Sequence, residues 1–144
     1  MYHLADEPGL GCPAQDTYPY FLCILRPLTL RSAAGTTAVL DGGGQQGVLW
    51  AKMHVSPVSL QGLQITNGRA GNGGGIRNDG TLTISDSEVD HCHVNGQGAG
   101  IYIAGAGWGA TLTIINTEIH DNAQGPVNDG GGGICNLGAL NVSC

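Results

Sequence analysis

An apolar-polar-apolar triplet recurs along the chain as Leu28-Thr29-Leu30, Val58-Ser59-Leu60, Leu82-Thr83-Ile84, Leu112-Thr113-Ile114 and Leu140-Asn141-Val142. The first residues of successive copies are 30, 24, 30 and 28 positions apart, a spacing typical of repeat architectures. The period-two alternation predicts a short strand with one buried face at each copy. A second strand follows each of the three central triplets in matched copies: Leu60, Leu63, Ile65; Ile84, Ser87, Val89; and Ile114, Thr117, Ile119. A third precedes the triplet and starts at a glycine corner, in Gly73-Gly74-Gly75-Ile76, Gly98-Ala99-Gly100-Ile101 and Gly131-Gly132-Gly133-Ile134, with Val48-Leu49-Trp50 as a looser version. The opening strand is expected within the apolar run from Tyr18 to Leu25.

Strands this short bury one face each, and a single coil has too little interior to offset the conformational entropy of ordering it. Stacking the coils places like residues on one another and pairs each strand in parallel with its copy about 4.8 Å away. The pattern therefore predicts an all-β, right-handed parallel β-helix, a solenoid of about five coils with three short strands each. Five coils make a rod about 20 to 25 Å long at that spacing. Residues 1–16 read as an irregular N-terminal segment and 17–144 as a single β-helix domain. The last coil stops at Cys144 inside its second strand, so it reads as truncated, with additional coils expected in a longer parent protein.

Composition narrows the function classes. Twenty-six glycines in clusters suit tight corners, and their failure to fall at every third position excludes collagen. A formal charge of −6, with Arg26, Arg31, Lys52, Arg69 and Arg77 as the only strong bases, excludes nucleic acid as an expected partner. No segment is long and apolar enough to read as a membrane-spanning helix, and the first residues do not read as a signal peptide. Five cysteines without a Cys-x-x-Cys pair argue against a zinc ribbon or thioredoxin motif and leave their disulfide state open.

The densest chemistry lies on and just after the second strand of the central coils. The repeat register places Glu88 on Glu118, Asp90 on His120 and His91 on Asp121, all on or near outward positions. Carboxylates one coil apart could share a cation such as calcium, or form a solvated face in which His and Asp satisfy each other. His91-Cys92-His93 places two imidazoles on one face with Cys92 opposite, a weak metal pattern, and no metal ligand set or catalytic residue is assigned. Trp108, on the inserted glycine-rich corner, and Tyr102 could contact a sugar or a partner protein, or pack on each other. Thr29, Ser59, Thr83, Thr113 and Asn141 form an outward column, with Thr81 and Thr111 beside it, which raises an ice-binding alternative.

Leu28-Thr29-Leu30-Arg31-Ser32, Leu40-Asp41-Gly42-Gly43-Gly44, the run from Ser59 to Gly68 and the run from Gly73 to Ile84 read as successive coils of a known repeat. From about Leu28 to Cys144 the chain resembles right-handed β-helix proteins of the pectin-lyase-like fold, particularly bacterial surface proteins related to polymorphic outer membrane proteins. It departs from that pattern where the family's Phe-x-x-Asn becomes Val89-x-x-Cys92 and Ile119-x-x-Asn122. The resemblance implies an extracellular, cell-surface or outer-membrane bacterial protein in which such coils form a stalk or an adhesion scaffold, with carbohydrate or a host surface protein as partner. Pectate lyases and polygalacturonases share the fold, so a carbohydrate-active lyase or hydrolase is the alternative. The polygalacturonase series Asn-Thr-Asp, Asp-Asp, Gly-His-Gly and Arg-Ile-Lys is not found in the sequence.

Overall fold

A computed structural model describes residue 12 and residues 19–52, 57–105, 107, 109–126 and 130–144. All of its sheets are parallel, and they stack as a β-solenoid of about four turns. One five-stranded sheet carries the strands that follow the glycine corners: Tyr20–Ile24, Gly47–Ala51, Ile76–Asn78, Ile101–Ile103 and Ile134–Asn136. A second five-stranded sheet carries the triplets: Leu28–Arg31, Val58–Gln61, Leu82 within Thr81–Ser85, Leu112 within Thr111–Ile115, and Leu140 within Ala139–Ser143. The third, four-stranded, is built from Ala38–Asp41, Leu63–Thr66, Glu88–Asp90 and Glu118–His120.

The registers are those read from the repeat. Val58 pairs with Leu28 and Leu82, and Leu112 pairs with Leu82 and Leu140. Ile101 pairs with Ile76 and Ile134, and Leu49 pairs with Ile76. These residues share one interior, in which Leu49, Leu60, Ile65, Ile76, Leu82, Ile84, Ile101 and Leu112 are all fully buried. At the outermost coils the burial relaxes, and Val142 is 66% exposed against none for its register column neighbour Ile84.

Two features differ from the sequence reading. The three inner coils carry a fourth strand of two residues each, Arg69–Ala70, His93–Val94 and Ala123–Gln124, which pair into a separate three-stranded sheet. Glycine clusters also account for only some of the corners. Between the second and third sheets the chain turns through single left-handed residues, Gly62, Asp86 and Asn116, and after the third sheet through Asn67, His91 and Asp121. Asn and Asp tolerate this backbone because their short polar side chains bond locally. Asn116 Nδ2 donates to Asp86 Oδ1 one coil away at 2.7 Å, so this corner forms its own ladder.

The glycine corners before the first sheet have a different cause. A methyl group on Gly75 would approach the Gly100 carbonyl oxygen at 2.6 Å and Val89 Cγ1 at 2.8 Å, so this backbone packs too closely for a side chain. Asparagine then makes the turn from the first sheet to the second. Asn78 Oδ1 accepts the Gly80 N–H at 3.1 Å while its Nδ2 donates to the Thr111 carbonyl of the next coil at 2.9 Å.

Cys12 and Cys23 form a disulfide, the pairing that the sequence left open. Among the remaining cysteines, Cys92 is buried and Cys144 exposed. Burial, with the charge of Asp90 adding to it, pushes the Cys92 thiol up to about 12. Under non-reducing native conditions iodoacetamide is expected to modify Cys144 readily and to leave Cys92 unmodified until the chain is unfolded. Mass spectrometry showing equal labelling of the two in the native protein would contradict this burial.

Candidate functional site

The third sheet positions the chemistry, because its registers bring polar residues of neighbouring coils onto one another. Glu88 pairs with Gln64 and Glu118, and Asp90 pairs with Thr66 and His120. Of the six residues singled out in the sequence, the structure divides the set rather than gathering it at one point.

Asp90 is not on an outward position; it is 1% exposed. Its Oδ1 accepts a short hydrogen bond from the Thr66 hydroxyl, its Oδ2 accepts one from Gln64 Nε2 at 2.7 Å, and His91 Nδ1 lies 3.0 Å from Oδ1. Burial by itself pushes this carboxyl up, but the hydrogen bonds from Thr66, Gln64 and His91 outweigh it and hold the group at about 2, below the ordinary 3.8. Asp90 is therefore ionised and joins its own coil to the preceding one. The depressed value contributes about 2 kcal/mol of stability that is complete above the unfolded-state value and is lost as pH falls toward 2. Asp90→Asn is expected to lower stability near neutral pH by that order and to flatten the acid limb between about pH 4 and pH 2. An unchanged acid limb in urea titrations across this range would refute the assignment.

His120 stays at the surface and bridges two carboxylates. Its Nε2 lies 2.8 Å from Glu88 Oε1 in the preceding coil, and its Nδ1 lies 2.9 Å from Asp121 Oδ2. Because both ring nitrogens face carboxylate oxygens, both need protons, and the hydrogen bonds to Asp121 and then Glu88 raise the His120 pKa. The clamp is present at low pH and lost as pH rises through that raised value. Glu118 continues the acidic column beside it.

Glu88, Asp90 and His120 each offer a ligand atom within 4.8 Å of the others, close enough for one cation. The atoms concerned are already engaged, however: Asp90 by three donors and His120 by two carboxylates. Calcium, which takes six to eight oxygen ligands, would have to displace these partners, so the geometry describes coil-to-coil cross-links better than an ion cage.

His91 leaves this group altogether. Its left-handed backbone, φ 48°, turns the ring beyond the strand end into a groove that it shares with His93, Arg69 and Asp41. Sequence reasoning missed Arg69 and Asp41, since neither is near His91 in the chain; the register pairs Arg69 with His93 and Asp41 with Thr66. Cys92, between the two histidines, is buried. Asn122, in the coil above, accepts the Cys92 N–H through Oδ1 at 3.0 Å and donates through Nδ2 to the Val89 carbonyl at 2.9 Å.

Tyr102 is half-buried on the outer face of the first sheet, in a register column with Trp50, Arg77 and Cys135. Trp50 is the aromatic centre of that face: Lys52 Nζ lies 3.0 Å and Arg77 Cζ 4.2 Å from its ring centroid, and its Nε1 donates to Asp79 Oδ2 at 2.7 Å. Trp108, the other expected contact residue, lies outside the described residues. The Thr81 and Thr111 pair and the column through Thr83 and Thr113 stack as the repeat predicted.

Fold and site together define the protein as a parallel β-solenoid, or β-helix, repeat protein. No known family model matches the chain, and no curated protein or solved structure is significantly similar to it. No helix among the described residues is long and apolar enough to cross a membrane.

Proposed function

We propose that the chain is a non-catalytic β-helix module of a secreted or cell-surface bacterial protein, serving as a stalk or as a scaffold that presents side chains to a partner. The observation that carries this reading is the use of the polar side chains. Trp50 with Asp79, Gln64 and Thr66 with Asp90, His120 with Glu88, Asn116 with Asp86, and Asn122 with Cys92 and Val89 all join one coil to another. Groups so engaged stiffen a rod and are poorly placed to take up or release protons on a substrate. The Cys12–Cys23 disulfide supports a location outside the reducing cytosol. The finer resemblance to pectin-lyase-like and polymorphic outer membrane protein repeats rests on the motif segments alone, and it is the source of the surface assignment. The Trp50, Arg77 and Tyr102 column offers an aromatic and cationic strip suited to a sugar or protein partner.

A carbohydrate-active enzyme is the second reading, favoured by one observation: a buried ionised Asp90 orients His91 beside Arg69, as a general base would be oriented. The discriminating experiment incubates the purified chain with acidic and neutral polysaccharides and follows both binding and chain cleavage. Binding without cleavage, weakened in Trp50→Ala or Tyr102→Ala, is the expected result. Cleavage that disappears in His91→Ala would overturn the scaffold reading in favour of the enzyme. Thermal hysteresis in the same preparation would instead favour the ice-binding alternative suggested by the threonine columns.

A further inference from the structure

We propose that the groove formed by Asp41, Arg69, His91 and His93 is a binding site for an oxyanion of the phosphate type that keeps a proton near neutral pH, inorganic phosphate itself. The groove encloses about 430 Å³ along the corner that follows the third sheet. Its positive end is assembled across coils. Arg69 and His93 are register partners, which places their backbones about 4.8 Å apart, and His91 joins them from the corner that leads into the His93 strand.

Two properties set these bases apart from Arg77 and His120. Arg77 is held by Asp79 at 3.1 Å, and His120 by two carboxylates, whereas the side chains of Arg69 and His93 have no hydrogen-bond or ion-pair partner among the described residues. His91 is oriented by the buried Asp90: its Nδ1 faces a carboxylate oxygen, which can only accept, so Nδ1 donates there and Nε2 is the nitrogen that faces a ligand, on a side chain that is 61% exposed. The Arg69 guanidinium with two imidazoles beside it, on a chain of formal charge −6, forms a local site for negative charge. A guanidinium presenting a fork of N–H donors matches an oxyanion edge.

The other end of the groove sets the selectivity. Asp41 lies one coil before Arg69, and its Oδ1 accepts the Gly43 N–H at 2.8 Å, which anchors the carboxylate at the groove wall. An ionised carboxylate repels a fully deprotonated oxyanion but accepts a hydrogen bond from one that keeps an O–H. Phosphate near neutral pH keeps such a proton and sulfate does not. The arrangement therefore favours phosphate over sulfate, with Arg69 and His93 donating to the charged oxygens and with Asp41 and the His91 Nε2 accepting from the hydroxyl.

The test is a titration of the isotope-labelled protein with inorganic phosphate, followed by amide and imidazole NMR shifts, with sulfate and chloride at matched ionic strength. Saturable shifts at Gly44, Arg69, His91 and His93 with phosphate, weaker with sulfate and absent with chloride, are expected. Arg69→Ala should weaken phosphate binding about tenfold, the effect of losing one charge-assisted contact, with an unchanged melting midpoint because the side chain is exposed. His93→Ala serves as the second variant and should weaken binding in the same direction. Asp41→Asn should remove the preference for phosphate over sulfate. Glycerol phosphate, whose ester phosphate has mostly lost its O–H near neutral pH, should bind more weakly than inorganic phosphate, and equal or stronger binding would overturn the role given to Asp41. Shifts that chloride reproduces, or that persist unchanged in both Arg69→Ala and His93→Ala, would overturn the proposal.

Discussion

Gly68→Ala is expected to be the most damaging single methyl that can be added to the described body, costing more than about 3 kcal/mol. Gly68 follows the left-handed Asn67 at the end of the third sheet, and a Cβ there would run into the carbonyl oxygen of Gly74 across the same corner. Neither backbone is free to move. The Gly74 carbonyl accepts the Val48 N–H at 3.0 Å, and the Gly68 carbonyl accepts the His93 N–H at 2.8 Å, so relief of the clash breaks the register toward the coil on each side. Gly107→Ala is the matched control. A methyl there meets nothing within 4 Å, and its effect should stay within about 0.5 kcal/mol. Urea unfolding followed by circular dichroism reads the difference, and similar midpoints for the two variants would show that the corner is looser than described.

The second large effect belongs to the triplet column. Leu112 is fully buried between Leu82 and Leu140, and truncation to alanine removes packing against both neighbouring coils. Leu112→Ala should cost about 2 to 5 kcal/mol, the range for buried leucines. Thr113→Ala, one position along the strand on the outward face, should change stability by less than about 0.5 kcal/mol. In a solenoid each coil is stabilised by its neighbours, so hydrogen exchange in Leu112→Ala should rise first in Ile134–Asn136 and Ala139–Ser143, the strands of the last coil. Uniform loss of protection along the whole rod would contradict nearest-neighbour coupling.

The contrast between these two positions also explains what was legible in the chain. Leu112 and its partners announce themselves, because period-two alternation repeated at a near-constant spacing has few other physical explanations, and every triplet register follows from it. Gly68 does not stand out among 26 glycines, since close approach of two backbones is a tertiary fact. Asp90 reads as outward in the sequence for a related reason. A polar residue after an apolar one reads as solvent-facing, and only the Thr66 and Gln64 side chains of the preceding coil, 24 and 26 residues away, reveal that it is buried and satisfied. The stacking of Glu88 on Glu118 and of Asp90 on His120 was legible because it follows from register alone. The meeting of His91 with Arg69 and Asp41 was not, because the corner that turns His91 away is set by a left-handed backbone at a residue that carries no glycine signal. The Cys12–Cys23 bond likewise joins a segment without repeat character to the opening strand.

The fold requires the coils to lie one above another with their strands running in the same direction. A methyl-resolved NOESY experiment on the labelled protein tests this most directly. The predicted result is a chain of contacts from Val58 to Leu82, Leu82 to Leu112 and Leu112 to Leu140, with none between Val58 and Leu112, which lie two coils and about 9.6 Å apart. Absence of the Leu82 to Leu112 contact, or Hα–Hα cross-peaks showing those two strands to be antiparallel, would contradict it.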